Sequence, residues 1–300
     1  MICKTYSMFV NAIESVSKYT AGIHTIERTF GKNNARPGAA TMFFVNDQGC
    51  AITCKHVAEL IPFAQDLLNR FNDYKGKKEL LVKGGSSNKK VKELSKQNGF
   101  TENTLCELFI QFQSTGTFDS ITYHLHPKYD LAIIQFNNMQ NANRPFAKFL
   151  SDGATIKQGK SLCRLGFPFP EFTNYEYIAA TDSIAWTTAG INATPCFPID
   201  GMVTRFLADS ERVWGIELST PGLKGQSGGP LFDGHGVVYG MQSATNHLHL
   251  GFDVKNKEVV SNGEKIKVTN QPFLHVGHCI HVDVIKEFLI EKGIQFHLST

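Results

Sequence analysis

The chain has 300 residues, of which 42% are hydrophobic and 19% are charged, and its formal net charge is +3. So much apolar material excludes an intrinsically disordered chain and is sufficient for one large domain or two packed halves. The excess of positive charge is too small to indicate nucleic acid as the main partner.

Cysteine usage and apolar segments indicate the compartment. The seven cysteines, Cys3 among them, are odd in number and contain no CxxC pair, so no disulfide framework, zinc ribbon or redox motif is indicated. The first segment, MICKTYSMFVNAIESVSKYT, lacks the apolar stretch and cleavage site of a signal peptide, and no apolar run is long enough to cross a membrane. We therefore expect a cytoplasmic protein with free thiols and no membrane association.

The first half of the chain combines helices with short strands. A helix is predicted near residues 8–18, where Phe9, Ile13 and Val16 share a face. Pro62 opens a second predicted helix at a position where proline is tolerated, and its apolar face consists of Phe63, Leu67, Leu68 and Phe71. Strands are predicted from short apolar runs, the first two joined as a hairpin by the turn 46–49: 41–45, 51–54, 108–112, 121–125 and 131–136.

A lysine-rich segment interrupts these strands. Eight lysines lie between residues 75 and 96, around a Gly-Gly-Ser-Ser-Asn stretch. Together with the helix before it, we interpret this segment as a solvated insertion over about residues 62–105, with an anion-binding site as the alternative. The asparagine-rich stretch 137–144 is the predicted linker between the two halves.

The second half is predicted to consist of strands followed by one helix. Apolar runs separated by Gly, Pro, Asp or Asn occur at 161–167, 202–207, 213–218, 230–232, 236–244 and 274–282. The last helix presents Val282, Ile285, Phe288 and Leu289 on one face, with Gly293 as its stop. Many strands with short terminal helices predict an all-β double barrel, with the first barrel in residues 1–145 and the second in 146–300.

The strongest chemical signal is the segment Gly-Gln-Ser-Gly-Gly-Pro-Leu, which spans residues 225–231. A serine hydroxyl becomes a nucleophile when it is exposed, close to a base, and beside donors that hold a developing oxyanion. Glycines on both sides allow the tight bend that places backbone N–H groups near the side-chain oxygen. This pattern favours Ser227 as a nucleophile over an ordinary glycine-rich turn.

Two further segments supply the partners of such a serine. His56 follows the predicted strand 51–54, and Asp130 precedes the strand 131–136. The chain order His, Asp, Ser is that of chymotrypsin-type enzymes and differs from that of α/β-hydrolases and subtilisins. His124 and His126 are weaker candidates for the base because they lack this context, and Asp119 is a weaker candidate for the acid.

Two other histidine patterns resemble metal-binding motifs in spacing but lack the remaining ligands. His247-x-His249 and the spaced set His275, His278 and His281 have no acidic or cysteine partner at zinc-motif spacing. We therefore predict structural or surface roles for them, with no metal site and no cofactor.

Because of these motifs, the chain resembles the trypsin-like (chymotrypsin-fold) serine peptidases. Among these it is similar to the peptidase domain of the bacterial Deg-type proteins, here expected as a stand-alone unit. The resemblance implies two packed six-stranded Greek-key β-barrels with the site at their junction. It also implies the roles: Ser227 attacks the scissile carbonyl, His56 transfers the proton, and Asp130 holds the imidazole tautomer. The backbone N–H groups of Gly225 and Ser227 are the implied oxyanion hole, and the strand containing Ser243 pairs with substrate.

Departures from the family pattern refine this expectation. Gln226 stands where zymogen-activated relatives have an aspartate, so activation by N-terminal trimming is not expected. The segment 219–224 contains no acid, so Leu223 and Ala244 are expected to bind a small or medium apolar side chain. Lys224 leaves an acidic substrate group as an alternative.

The function predicted from the sequence is a serine endopeptidase that acts on a protein or peptide substrate through an acyl-enzyme. A regulatory protein that orders the loop 221–226 is a further candidate partner. The alternatives are a catalytically silent protease-fold binding module and a basic protein whose 75–96 segment binds nucleic acid, although nucleic acid is not the expected partner.

Overall fold

The computed structural model describes residues 8–140, 144–261 and 263–299. Five helices are present in this part of the chain: α1 Val10–Val16, α2 Lys55–Ala58, α3 Leu60–Lys83, α4 Asn88–Gln97 and α5 Val282–Glu291. None of them is both long and apolar enough to span a membrane. Cys3 and residues 141–143 of the predicted linker lie outside the described residues.

The first sheet has six strands: β1 Thr20–Thr29, β2 Arg36–Phe44, β3 Cys50–Thr53, β4 Leu105–Phe112, β5 Ser120–Leu125 and β6 Ala132–Asn137. Their spatial order is β4-β1-β2-β3-β6-β5, and every pair is antiparallel. The predicted hairpin is confirmed, because Val45 N–H donates to Cys50 O across the turn and Gly49 adopts a φ of +78°.

The second sheet contains the strands β7 Lys148–Phe149, β8 Ser161–Gly166, β11 Phe197–Ala208, β12 Val213–Leu218, β13 Pro230–Phe232, β14 Val237–His249, β17 Phe273–His281 and β18 His297–Leu298. Six of them close into a ring in the order β8-β11-β12-β17-β14-β13, since β13 pairs with both β14 and β8. β7 and β18 extend this sheet in parallel beside β14.

The two sheets share one topology. If the six strands of each are counted along the chain, both follow the cyclic order one, two, three, six, five, four. In the first sheet β4 and β5 are the end strands, whereas in the second the ring is closed. The predicted all-β, chymotrypsin-like fold is therefore confirmed, with six strands of the second sheet closed as a barrel and the first sheet open between β4 and β5. The division into domains at residues 145 and 146 stays a prediction.

Several elements differ from the sequence prediction. β1 was not predicted, because its ten residues mix polar and apolar side chains that are nearly all buried. Two hairpins were also missed, and both lie outside the barrels: β9 Tyr175–Ile178 with β10 Ser183–Trp186, and β15 Val254–Ser261 with β16 Glu264–Asn270.

The predicted insertion forms a pair of helices, α3 and α4, that packs on β4. Leu67 and Phe71 of the predicted apolar face are buried, together with Tyr74. The prediction is wrong at Phe63, which is 43% exposed, because Leu60 and Ala64 provide the packed face at the start of α3 instead. Burial of Leu67 and Phe71 therefore anchors the insertion to the first sheet.

The terminal helices cover the core as predicted. Val16 of α1 is buried, and Phe9 and Ile13 pack against the same apolar cluster. All four residues of the predicted α5 face are buried: Val282, Ile285, Phe288 and Leu289. None of the six described cysteines forms a disulfide.

A buried ion pair joins the first sheet to the β9–β10 hairpin. Arg28 on β1 and Glu107 on β4 form a salt bridge with side chains only 2% and 0% exposed. Asp182 in the hairpin turn binds the same guanidinium at 2.9 Å. A buried charge is costly unless it is paired, so this cluster fixes the hairpin against the sheet.

Glu107→Ala is therefore expected to lower the free energy of unfolding by about 3 to 5 kcal/mol, because it leaves a buried guanidinium partly unpaired. Glu102→Ala is the matched control, since Glu102 is 80% exposed and lies 3.9 Å from Lys32. Its removal is expected to cost less than about 1 kcal/mol. Urea unfolding measures both values, and equal small losses would contradict the role of Glu107.

Candidate active site

The sheet topology brings His56 and Asp130 together. β3 and β6 are antiparallel neighbours with Thr53 opposite Ala132. His56 lies in α2, directly after β3, and Asp130 lies just before β6. The end of one strand and the start of its antiparallel neighbour meet at the same edge of a sheet, so residues 74 positions apart become adjacent.

Three donor groups form hydrogen bonds with Asp130. The Nδ1 atom of His56 lies 3.0 Å from both carboxylate oxygens, and the backbone N–H of His56 donates to Oδ1 at 3.1 Å. The Ser243 hydroxyl donates to Oδ2 at 2.6 Å. Burial by itself opposes ionisation of Asp130, but the hydrogen bonds from His56 and Ser243 outweigh it and lower its pKa to about 2.

The ionised carboxylate fixes the tautomer of His56. A carboxylate only accepts hydrogen bonds, so Nδ1 carries the imidazole proton and Nε2 carries the lone pair. Among the described residues, no protein group hydrogen-bonds to Nε2, and the His56 side chain is 54% exposed. Nε2 is therefore an accessible proton acceptor.

Ser227 lies in a tightly packed bend before β13. Its carbonyl accepts from Thr41 N–H at 3.0 Å, and the neighbouring Gly228 N–H donates to Gln242 O at 2.8 Å. Gly228 has a φ of +89°, and a Cβ there would lie 2.1 Å from Thr41 O, so only glycine fits. The hydroxyl of Ser227 lies 3.5 Å from Ser243 O, and the described residues show no hydrogen bond from it to His56.

The loop before Ser227 is fixed by the buried side chain of Gln226. Its Oε1 accepts from Leu223 N–H at 3.1 Å, and its Nε2 donates to Phe197 O at 3.0 Å. The Thr41 hydroxyl donates to Gly225 O at 2.7 Å. Within the described chain, the backbone N–H groups of Gly225 and Ser227 have no protein acceptor, which leaves both free for a ligand oxygen.

The comparison with protein-family models matches residues 40–241 to the family described as trypsin-like peptidase domain. The chain belongs to this family. The match covers the positions of His56, Asp130 and Ser227.

The comparison with solved structures finds HtrA-type proteases. One is the protease AlgW with a decapeptide, at 12% identity and a TM-score of 0.47, covering 95% of this chain and 68% of that chain. Another is a variant of AlgW with a tripeptide, at 14% identity and a TM-score of 0.45, covering 95% of this chain and 64% of that chain. No curated protein matches the chain.

The weaker candidates lie elsewhere in this trypsin-like peptidase domain. His126 Nδ1 accepts from the backbone N–H groups of Lys128 and Tyr129, and burial lowers the pKa of the ring. His124 lies on β5 opposite Ile133. Asp119 is exposed and accepts from the Asn138 amide at 2.7 Å. None of the three contacts the His56–Asp130 pair.

Of the residues predicted to bind substrate, Ser243 contacts the proposed site directly: its carbonyl oxygen lies 3.5 Å from the Ser227 hydroxyl, and its own hydroxyl donates to Asp130. Leu223 is half-buried in the loop before the serine, Ala244 is exposed on β14, and Lys224 is exposed. Sequence reasoning missed three residues that hold this region in place: Thr41, Arg164 and Gln242. Each is buried and polar, and no motif marks them, because their partners come from distant segments.

Potential metal ligands are explained by hydrogen bonds. Cys54, His56 and Asp130 place three ligand atoms within 4.8 Å of one another. Burial and the charge of Asp130 raise the pKa of Cys54, and its thiol donates to Gln242 O at 3.3 Å, so it is a poor ligand. His247 and His275, from separate motifs, meet across β14 and β17 with their Nδ1 atoms 2.5 Å apart.

The remaining motif histidines have protein partners. His249 binds Asp253 at 2.9 Å, His278 binds Glu217 at 3.2 Å, and His281 accepts from Asp283 N–H at 3.2 Å. A cavity of about 730 Å³ lies beside His281 and Phe206, away from Ser227.

Proposed function

We propose that this trypsin-like peptidase domain is a serine endopeptidase with Ser227 as nucleophile, His56 as general base and Asp130 as the group that orients the base. The observation that carries the proposal is the His56–Asp130 pair, with two contacts of 3.0 Å and an accessible Nε2. The pair supplies an oriented general base on the same side of the molecule as Ser227, which lies in a glycine-rich bend.

The first chemical step is proton transfer from Ser227 to His56. The serine hydroxyl turns about χ1 from Ser243 O toward Nε2 and gives up its proton as its oxygen bonds to the scissile carbonyl carbon. Asp130 stabilises the imidazolium that results, because its low pKa keeps it negative. His56 then protonates the leaving amine, and an acyl-enzyme remains on Ser227.

The developing oxyanion is assigned to the backbone N–H groups of Gly225 and Ser227. Neither has an acceptor among the residues that the structure describes, and the loop that carries them is held by Gln226 and Thr41. Donors that are fixed before the reaction stabilise the transition state without a reorganisation cost. Water hydrolyses the acyl-enzyme by the same transfers in reverse, with His56 again as the base.

A fluorophosphonate probe tests this function, because it reacts covalently with an activated serine. We expect wild type to be labelled, with the modified peptide containing Ser227 by mass spectrometry, and we expect no labelling of Ser227→Ala or His56→Ala. Labelling at a different serine, or equal labelling of His56→Ala, would contradict the assignment. If wild type stays unlabelled both pure and in cell lysate, the chain is a protease-fold binding module.

A further inference from the structure

β14 and β17 continue beyond the second barrel as a two-stranded ribbon. β17 pairs with β12 as far as Gly277, whereas among the described strands its residues Phe273 to Val276 pair with β14 alone. The ribbon leads into the exposed hairpin of β15 and β16. An isolated two-stranded hairpin is marginally stable in water, so a ribbon of this kind depends on contacts between its own side chains.

Two histidines face each other across this ribbon. His247 on β14 lies directly opposite His275 on β17. Their Nδ1 atoms are 2.5 Å apart, their ring planes are at 82°, and both residues are exposed. Directly opposite residues on antiparallel strands have Cβ atoms about 5 Å apart, so the strand register itself keeps the two rings together.

The neighbouring His249 shows what a ring bound by protein groups looks like on the same face of β14. Its Nε2 binds Asp253 at 2.9 Å, and its Nδ1 accepts from Gly251 N–H at 3.1 Å. In the His247–His275 pair, by contrast, each Nδ1 contacts the other, and neither Nε2 forms a hydrogen bond with a described residue. The ring nitrogens of this pair are therefore available to a ligand that fits two imidazoles.

Two converging imidazole nitrogens are a donor set for a transition-metal ion. Metal–nitrogen bonds of roughly 2.0 to 2.1 Å place two ligand nitrogens about 2.9 to 3.4 Å apart when the angle at the metal is roughly 90° to 109°. The two Nδ1 atoms are 2.5 Å apart. They must therefore separate by less than about 1 Å, which exposed histidines achieve by small rotations about χ1 and χ2.

We propose that His247 and His275 chelate a divalent transition-metal ion through their Nδ1 atoms, with water completing the coordination on the exposed side. Imidazole nitrogen suits Zn²⁺, Cu²⁺ and Ni²⁺, whereas Mg²⁺ and Ca²⁺ require oxygen ligands. Without metal, one Nδ1 donates its proton to the other Nδ1. With metal, that ring carries the proton on Nε2 instead, so both rings stay neutral and no proton is lost.

The bound ion links β14 to β17 outside the barrel, on the same strand as Ser243. A ligand that binds the folded state and not the unfolded state stabilises the fold by mass action. The site also revises the expectation of no metal, which came from histidine motifs taken one at a time. His247 and His275 belong to different motifs, 28 positions apart, and meet only through the register of the strands.

Calorimetric titration of the full chain with Cu²⁺, Ni²⁺, Zn²⁺ and Mg²⁺ tests the site. We expect Cu²⁺ to bind most tightly and Mg²⁺ not to bind. His247→Ala and His275→Ala are each expected to weaken binding at least about tenfold, since loss of a mere outer-shell partner already costs that much at metal sites. His235→Ala is the matched control, because His235 is exposed in the turn before β14, and it is expected to leave the affinity unchanged.

A second variant separates this site from the candidate active site, where Cys54, His56 and Asp130 also place ligand atoms close together. His56→Ala removes the exposed ligand of that cluster and is expected to retain the metal affinity of wild type. Binding that is lost in His56→Ala and kept in His247→Ala would overturn the proposal. The fluorophosphonate experiment needs no metal, so this result would leave the endopeptidase function untouched.

Electron paramagnetic resonance of the Cu²⁺ complex identifies the ligands without any catalytic readout. We expect hyperfine coupling to two imidazole nitrogens in wild type and to one in His247→Ala or His275→Ala. Urea unfolding completes the test, because added Zn²⁺ should raise the midpoint for wild type and His235→Ala but not for the two ligand variants. Equal binding and equal stabilisation of wild type and both ligand variants would overturn the proposal.

Discussion

Ser227→Ala is expected to lower kcat for a cleaved peptide by about a millionfold, the largest effect on activity predicted for this chain. The substitution removes the only oxygen that can form the acyl-enzyme in the proposed mechanism. The fold is expected to survive, because the Ser227 side chain makes one long contact of 3.5 Å and its carbonyl still accepts from Thr41 N–H. Steady-state cleavage of a peptide substrate measures the loss, with urea unfolding as the check on folding.

Ser210→Ala is the matched control for this experiment. Ser210 is exposed in the turn after β11, and its replacement is expected to leave both kcat and stability unchanged. Residual activity of Ser227→Ala above one hundredth of wild type would contradict the nucleophile assignment. Such a result would direct attention to another serine or to a contaminating peptidase.

Asp130→Asn is expected to lower kcat by about ten-thousandfold. The asparagine amide donates toward Nδ1, so the imidazole proton moves to Nε2, where it blocks uptake of the Ser227 proton. The geometry is otherwise retained, since the remaining amide oxygen accepts from Ser243 or from His56 N–H. Asp119→Asn, which removes an exposed carboxylate bound to Asn138, is the control and is expected to have no effect.

Comparison of Asp130→Asn with wild type also tests how the stability of the fold depends on pH. The pKa of Asp130 is lowered to about 2 in the folded protein, below the value of about 3.9 for a free aspartate. Its contribution is therefore fully present above about pH 4 and is lost as the pH falls toward 2. The difference in urea midpoint between wild type and Asp130→Asn should shrink over this range. A constant difference from pH 6 to pH 2 would show that the hydrogen bonds do not stabilise the ionised form.

The fold class and the identity of the proposed catalytic residues could be predicted from the sequence because their signals are local. Alternating apolar runs bounded by turn residues identify strands such as β3 and β6 one at a time. The glycines around Ser227 predict a tight bend that other residues do not allow, as the close approach of Thr41 O to Gly228 shows. The last helix, α5, could likewise be predicted from its own sequence, because four apolar residues share one face.

Local patterns failed where neighbours decide the structure. β1 has no clean alternation, yet it pairs with both β2 and β4 and is buried by them. Phe63 fits the apolar face of α3 by periodicity but is 43% exposed. The neighbouring Leu60 and Ala64 pack instead against the cluster that contains Leu67 and Phe71. Burial depends on what packs against an element, and this information is absent from the element's own sequence.

By itself, the sequence determined that the chain carries the elements of a double barrel and a serine, histidine and aspartate in a chemically meaningful order. Only the tertiary structure decided the hydrogen bonds of the His56–Asp130 pair, the fixing of the loop by Gln226 and the hydrogen bond between buried Arg164 and Gln242. Each of these includes a hydrogen bond of 3.0 Å or less between atoms from segments far apart in the chain. Electrostatic interactions at such distances depend on partners and burial, which arise only when the two sheets pack.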